Sequence, residues 1–159
     1  MTSFFNLYQD QLRGLGYIAL SMLLGAVIGF DREVKDKPAG LRTHILVAGA
    51  AAFFVILAEY IVKRLIAVIG ADIVRSDPIR LIQAVVTGIG FLGAGTIIFR
   101  QGKEQVIGLT TAGSILFTAA VGMCVALSQL VLAVGATLLA LIVLRGLGPL
   151  ERKLGNRQN

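Results

Sequence analysis

Polar and apolar residues alternate along this chain on a long wavelength. Five apolar runs stand out, at approximately 14–30, 44–62, 79–99, 108–127 and 130–148, each bounded by charge, by Asp-Pro or by a short polar turn. Seventeen uncharged residues lie between Arg13 and Asp31, and nineteen between Arg80 and Arg100. As helices these stretches measure about 26 and about 28 Å at 1.5 Å per residue. Both suit a hydrocarbon core of about 30 Å once flanking long side chains snorkel. Only Ser128 and Gln129 separate the fourth and fifth runs, which predicts a tight antiparallel hairpin. Ser76-Asp77-Pro78 has the chemistry of a helix start, a capping side chain followed by proline in the first turn. In KRLIAVIGADIVR, residues 63–75, Leu65, Ile66, Ile69, Ile73 and Val74 share one side of a helical wheel, and Lys63, Arg64, Asp72 and Arg75 share the other, with Val68 the exception. This pattern predicts a short helix lying in the membrane surface.

The expected fold is therefore an all-α membrane protein of about five transmembrane helices. Residues 1–148 form the membrane domain, and 149–159 form a short cytoplasmic tail with no soluble C-terminal domain. Composition agrees, with 56% hydrophobic residues, 15% charged residues and a mean hydropathy of +0.82. A net charge of +6 would suggest nucleic acid in a soluble protein. In a membrane protein such bases gather in cytoplasmic loops, so no nucleic-acid partner is expected. The opening MTSFFNLYQDQLRG contains Asp10 and has neither a basic start nor a small-residue cleavage site, so no removable signal peptide is expected. Cys124, the single cysteine, reads as a small apolar filler in a helix.

Basic residues set the orientation. With five crossings, the side holding the N-terminus carries Arg13, Lys63, Arg64, Arg75 and Arg80. The other side carries Arg32, Lys35, Lys37, Arg42, Arg100, Lys103, Arg145, Arg152, Lys153 and Arg157. The positive-inside rule puts that second side and the C-terminus in the cytoplasm, and the N-terminus outside.

Sliding the chain against itself by 68 residues aligns LGAVIGFDREVKDKPAGLRTH (24–44) with LGAGTIIFRQGKEQVIGLTTA (92–112), with eight identities in twenty-one positions. The shared residues include Arg32/Arg100, Lys35/Lys103, Gly40/Gly108, Leu41/Leu109 and Thr43/Thr111, which lie in and around the polar connectors. Both connectors fall on the cytoplasmic side. The duplication thus predicts two hairpins related by an axis along the membrane normal. GLRTH and GLTTA become equivalent corners, where Gly40 and Gly108 permit the turn and Thr43 and Thr111 can cap the next helix. Helix N-termini gathered at one membrane face favour anions or acidic partner groups.

Candidate chemistry is sparse. GIGFLGAG, Gly88 to Gly95, contains a literal G-x-G-x-x-G, but within an apolar run rather than after a soluble strand. Close packing of helix backbones accounts for Gly88, Gly90, Gly93 and Gly95, as it does for Gly25 and Gly29; the alternative is a broken helix offering carbonyls to an ion. Asp31, Glu33 and Asp77 are weak candidates for a hard cation such as Mg2+. Asp31, Glu33 and Asp36 alternate with Arg32, Lys35 and Lys37, which reads as an ion-pair network in a solvated loop. Asp77 and Arg80 read as a pair one helical turn apart. His44 reads as a polar anchor in the headgroup zone, or as a sensor of cytoplasmic pH. The middles of all five runs lack ionisable residues, which weakens a coupled-transporter reading. No nucleophile, base and orienting group occur together, so no enzyme is expected.

Three strings, DREVKDKPAGLRTHILV, DPIRLIQAVVTGIGFLGAGTII and GLTTAGSILFTAAVGM, closely resemble in this order the N-terminal membrane domain of the MgtC/SapB family, over roughly residues 15–125. The resemblance implies a bacterial inner-membrane protein associated with growth at low magnesium and survival inside host cells. It also implies a regulator of membrane partners, such as the ATP synthase, more than a transporter. The matching positions are Asp31, Arg32, Glu33, Gly40, Leu41, Arg42, Thr43, His44, Asp77, Arg80, glycines 88 to 95, Gly108, Thr110 and Thr111. Ile107 and Leu116 depart from the family pattern, where an arginine and a tryptophan are expected. Functions of the soluble C-terminal domain found in many relatives do not carry over.

The expected function is that of a non-enzymatic membrane protein, packed through glycine-rich faces as a homo-oligomer in the lipid bilayer. It would act by binding a membrane protein partner or ions at its cytoplasmic corners, with Gln83 added to the functional positions named above. The alternative is a small Mg2+ or H+ channel or transporter with its pathway at the repeat interface.

Overall fold

The computed structural model describes the backbone of residues 2–70, 77–100 and 105–155, and side chains over 8–70, 77–97 and 106–146. Its helices are α1 (Thr2–Val34), α2 (Leu41–Ile69), α3 (Pro78–Ala94), α4 (Leu109–Ala126) and α5 (Leu130–Gly155). A small antiparallel hairpin, β1 (Ile98–Arg100) with β2 (Gln105–Ile107), joins α3 to α4, and Phe99 pairs with Val106. Stretches of α1, α2 and α4, over Tyr8–Val34, Leu41–Ile69 and Leu109–Ala126, are by length and composition able to cross a membrane. The apolar stretches Pro78–Ala94 and Leu130–Gly146 are shorter. This is an all-α membrane architecture.

Local chemistry explains most boundaries. Asp77 caps α3 by accepting the Ile79 N–H at 3.0 Å, with Pro78 in the first turn, and its carboxylate lies 3.5 Å from Arg80 Nε, as expected from the sequence. Asp77→Ala should lower stability by about 1 kcal/mol, read as a small fall in the thermal midpoint of the detergent-solubilised protein; the exposed Arg80 pair adds little. Helices α2 and α4 begin on Leu41 and Leu109, the equivalent leucines of the two repeat corners. Their preceding glycines serve different ends. Gly108 has φ +100° and a Cβ there would strike the Thr96 carbonyl, so both conformation and space demand glycine. Gly40 has an ordinary φ of −100°; a Cβ there would instead run into the Glu33 carboxylate.

Three expectations are corrected. Residues 63–69 are not a separate surface helix but the continuous end of α2, which stops at Gly70 with φ 89°; residues 71–76 lie outside the described region. The third helix ends at Ala94 rather than near residue 99. Gly93 and Gly95 weaken the helix there, the Thr96 hydroxyl donates to the Gly93 carbonyl at 2.7 Å, and the apolar run Ile97-Ile98-Phe99 then favours extended backbone. Asp31 and Arg32 are not in a solvated loop: both lie within α1 and are only 3% exposed.

Helices α1, α2 and α4 form the centre. Ala51, Ala52, Val55, Ile115, Ala119 and Met123 pack along the α2–α4 seam, and Ile28, Val121, Val125 and Ala133 join α1, α4 and α5. Outer faces carry exposed Leu23, Phe53, Leu132 and Leu138, as expected of a surface that meets lipid. Ser128, with φ 60°, makes the tight turn between α4 and α5.

The duplication has a structural counterpart. A Cβ on Gly25 would meet the His44 carbonyl at 2.5 Å, and a Cβ on Gly93 would meet the Ala112 carbonyl at 3.4 Å. Both members of the first pair shift by 68 residues to give the second, so the two hairpins reproduce the same glycine contact. The beginnings of α2 and α4 meet through a His44–Ser114 hydrogen bond, which places both connectors at one end of the bundle.

Candidate functional site

The connector end gathers buried polar groups in an otherwise apolar bundle. His44 is fully buried on the first turn of α2. Its Nδ1 lies 2.8 Å from the Gly40 carbonyl, and a carbonyl can only accept, so Nδ1 carries the proton. Nε2 lies 3.1 Å from Ser114 Oγ on α4, which is also 2.8 Å from the Thr111 carbonyl. Thr118 continues this line by donating to the Ser114 carbonyl at 2.8 Å. With Nδ1 protonated, Nε2 accepts the single Ser114 hydroxyl proton, and the two bonds satisfy an imidazole that would be costly to bury alone. His44 is thus a bridge between the two repeats, not an anchor in the headgroup zone.

Asp31 is the second centre. It accepts from Lys35 Nζ at 3.0 Å and from Arg145 Nε of α5 at 2.9 Å, while Lys35 Nζ also reaches the Leu144 carbonyl at 2.7 Å. A carboxylate this deep in an apolar bundle is tolerable only when so paired. The cluster ties the far part of α5 to the end of α1. Beside it, Arg32 is buried and its Nε has no hydrogen-bond partner among the described residues. Glu33 turns the other way and accepts the Leu41 N–H at 2.8 Å, so a side chain from α1 caps α2.

The capping expected of the threonines is therefore corrected. Neither Gly40 nor Gly108, the residues at the cap positions, has a side chain to offer; Thr43 is exposed, and Thr111 is buried inside α4. Arg42 and Thr110 are also exposed at the connector end. The structure thus brings together Asp31, Arg32, Glu33, Arg42, Thr43, His44, Thr110 and Thr111. It leaves Asp77, Arg80 and Gln83 at the other end, on the exposed first turns of α3.

The weak metal candidates do not converge. Asp31 holds two cations, Glu33 caps α2 and Asp77 caps α3. No group of three or more His, Cys, Asp or Glu side chains able to hold a metal occurs among the described residues. The packing glycines divide as well. Gly25 and Gly29 press on His44 and Leu41 of α2, and Gly93 presses on Ala112. Among the described residues, a Cβ on Gly88 or Gly90 would meet nothing, in contrast to the packing expected there, because both face outward from α3, and one on Gly95 would meet its own helix end.

Sequence reasoning missed three contributors. Thr111, Ser114 and Thr118 recur at helical spacing, and that polar stripe on α4 was the available signal for Ser114 and Thr118. Gly122 gave none: it is one glycine among many, and its role comes from the Ala48 carbonyl facing it.

The chain is similar to several curated proteins. YhiD of Escherichia coli strain K12, provisionally named as a magnesium transporter, is 36% identical over 88% of this chain and 63% of its own length. Protein SrpB of Synechococcus elongatus is 37% identical over 95% of this chain and 84% of its own. Protein MgtC of Brucella abortus is 39% identical over 86% of this chain and 52% of its own. The chain thus spans between about half and five-sixths of the length of these relatives. No solved structure matches. The sequence pattern of the MgtC family matches residues 18–153, across the helices that build both polar clusters, and the chain belongs to this family of membrane proteins.

Proposed function

We propose that this protein is a non-enzymatic regulator in a bacterial inner membrane, linked to magnesium homeostasis or membrane energetics. It acts by binding a membrane protein partner or an ion at its connector end, which faces the cytoplasm. What supports this reading is the excess of positive charge there: Arg32, Lys35, Lys37, Arg42 and Arg145 stand against Asp31, Glu33 and Asp36. Two helix N-termini converge on the same place, and both features favour an acidic group.

The observation that carries regulation over transport is the filling of the seam. Between the His44 cluster and the opposite end of α2 and α4 lie Ala48, Ala51, Ala52, Val55, Ile115, Ala119 and Met123, all buried. This apolar stretch offers an ion no replacement for its hydration shell.

Purified protein in liposomes loaded with magnesium- or proton-sensitive dyes should show no flux above protein-free vesicles. In native membranes, a photo-crosslinker at Thr43 should capture a membrane protein, and Arg42→Glu should abolish the capture. Magnesium or proton flux that Arg42→Ala removes would instead establish the transporter reading and overturn this one.

A further inference from the structure

A second polar site lies at the other end of the bundle. Where α1, α2 and the α4–α5 turn meet, an open cavity of about 180 Å3 is lined by Asp10 and Arg13 of α1 and by Glu59 and Lys63 of α2. At ~30 Å3 per water, it holds about six waters or a small polar group. The charges balance, two of each sign. Glu59 and Lys63 pair at 2.7 Å, whereas Asp10 and Arg13 form no ion pair among the described residues.

Two phenols complete the wall. The Tyr60 hydroxyl is buried and has no hydrogen-bond partner among the described residues. The Tyr17 oxygen accepts from Ser128 Oγ at 3.1 Å, which leaves its own proton free to donate. The orphaned hydroxyl lies on a residue of the cavity wall, and a small turn of the ring would let it donate to a polar atom seated there.

The chemistry selects among ligands. A bare cation would face Arg13 and Lys63, and a bare anion would face Asp10 and Glu59. An apolar group would leave both phenols unsatisfied. A zwitterion meets every demand: its ammonium pairs with the carboxylates, and its anionic oxygens take the guanidinium, the ammonium of Lys63 and the phenol protons. Exposed Leu12, Leu15 and Ile61 flank these charged positions on the same two helices, an apolar surface on which acyl chains can lie.

We propose that this cavity binds the zwitterionic headgroup of a membrane lipid, a primary ammonium and a phosphate joined by a short linker. The site is separate from the connector end, and neither depends on the other.

The chain has three tyrosines and no tryptophan, so tyrosine emission is an internal reporter. Tyr8 is exposed and can be removed as Tyr8→Phe, leaving Tyr17 and Tyr60. The full chain in detergent is titrated with short-chain phosphatidylethanolamine, phosphatidylglycerol and phosphatidylcholine, and with free phosphoethanolamine. A saturable change with phosphatidylethanolamine is expected, with phosphatidylglycerol and phosphatidylcholine weaker by about tenfold or more. Asp10→Asn and Arg13→Gln should each weaken it by a similar factor, with an unchanged gel-filtration profile. Native mass spectrometry of the unaltered chain should retain phosphatidylethanolamine over phosphatidylglycerol, a readout that needs no variant. Equal response to all three lipids, or none, overturns the proposal. Saturation by free phosphoethanolamine as tight as by the lipid overturns its lipid source.

Discussion

Gly122→Ala should destabilise the protein by about 1–3 kcal/mol, while Gly88→Ala on α3 should leave it unchanged or gain roughly 0.5–1 kcal/mol. The two changes add the same methyl group to the same kind of apolar helix. At Gly122 that carbon would drive into the Ala48 carbonyl of α2, a backbone group that no rotamer change can move aside. From the other side, a Cβ added to Gly25 of α1 would meet Ala48 Cβ at 2.8 Å, so that glycine presses on the same stretch. Helix α2 is therefore gripped between two glycines, and Ala48 is completely buried. Widening either contact separates α1 and α4 from α2 and loosens the His44–Ser114 bond one turn away. At Gly88 an added Cβ would meet nothing within 4 Å among the described residues, and alanine simply raises helix propensity. Unfolding midpoints in mild detergent test the contrast, and equal losses in the two variants would refute the grip on α2.

The second large effect should come from stripping Asp31 of both its cations. Lys35→Met with Arg145→Met is expected to cost about 3–5 kcal/mol, because it leaves a carboxylate buried without a partner. The same two changes made on an Asp31→Asn background should cost far less, since no buried charge remains. Single removals should fall between, as the remaining cation still neutralises Asp31. Lys35 is 37% and Arg145 61% exposed against 3% for Asp31, so the cations tolerate losing their partner better than the carboxylate does. Additive losses on both backgrounds would show that the cluster does not act as a unit. Because Arg145 is the α5 member, its loss should also make α5 the first helix to become accessible to protease.

Much of the fold was legible in residue order. Asp77-Pro78 and the Ser128-Gln129 turn are local devices, and each sits where the sequence predicts; the chain also turns at Gly40 and Gly108, but without the expected threonine caps. The surface helix over 63–75 failed for a reason that is also local. Lys63 pairs with Glu59 one turn earlier, and helix hydrogen bonding runs on without interruption to Gly70. Amphipathicity described a face of α2 and was mistaken for a separate element. The candidate site was legible as a list of residues and illegible as an arrangement. Asp31, Arg32, Glu33 and His44 were all singled out, yet charge alternation in DREVKDK read as a solvated loop, whereas α1 continues to Val34 and buries two of them.

Residue order alone determined the apolar runs, the start of α3, the turn between α4 and α5, the duplication and membership of the MgtC family, because hydrophobic periodicity and capping act within a few residues. Tertiary structure alone decided which polar groups are buried and whom they meet. His44 finds Ser114 across 70 residues, and Asp31 finds Arg145 across 114. It also decided which glycines are needed for contact, since Gly25 and Gly122 face a backbone while Gly88 and Gly90 face open space. Burial and close approach are properties of pairs of helices, and no single helix carries the information about its neighbour.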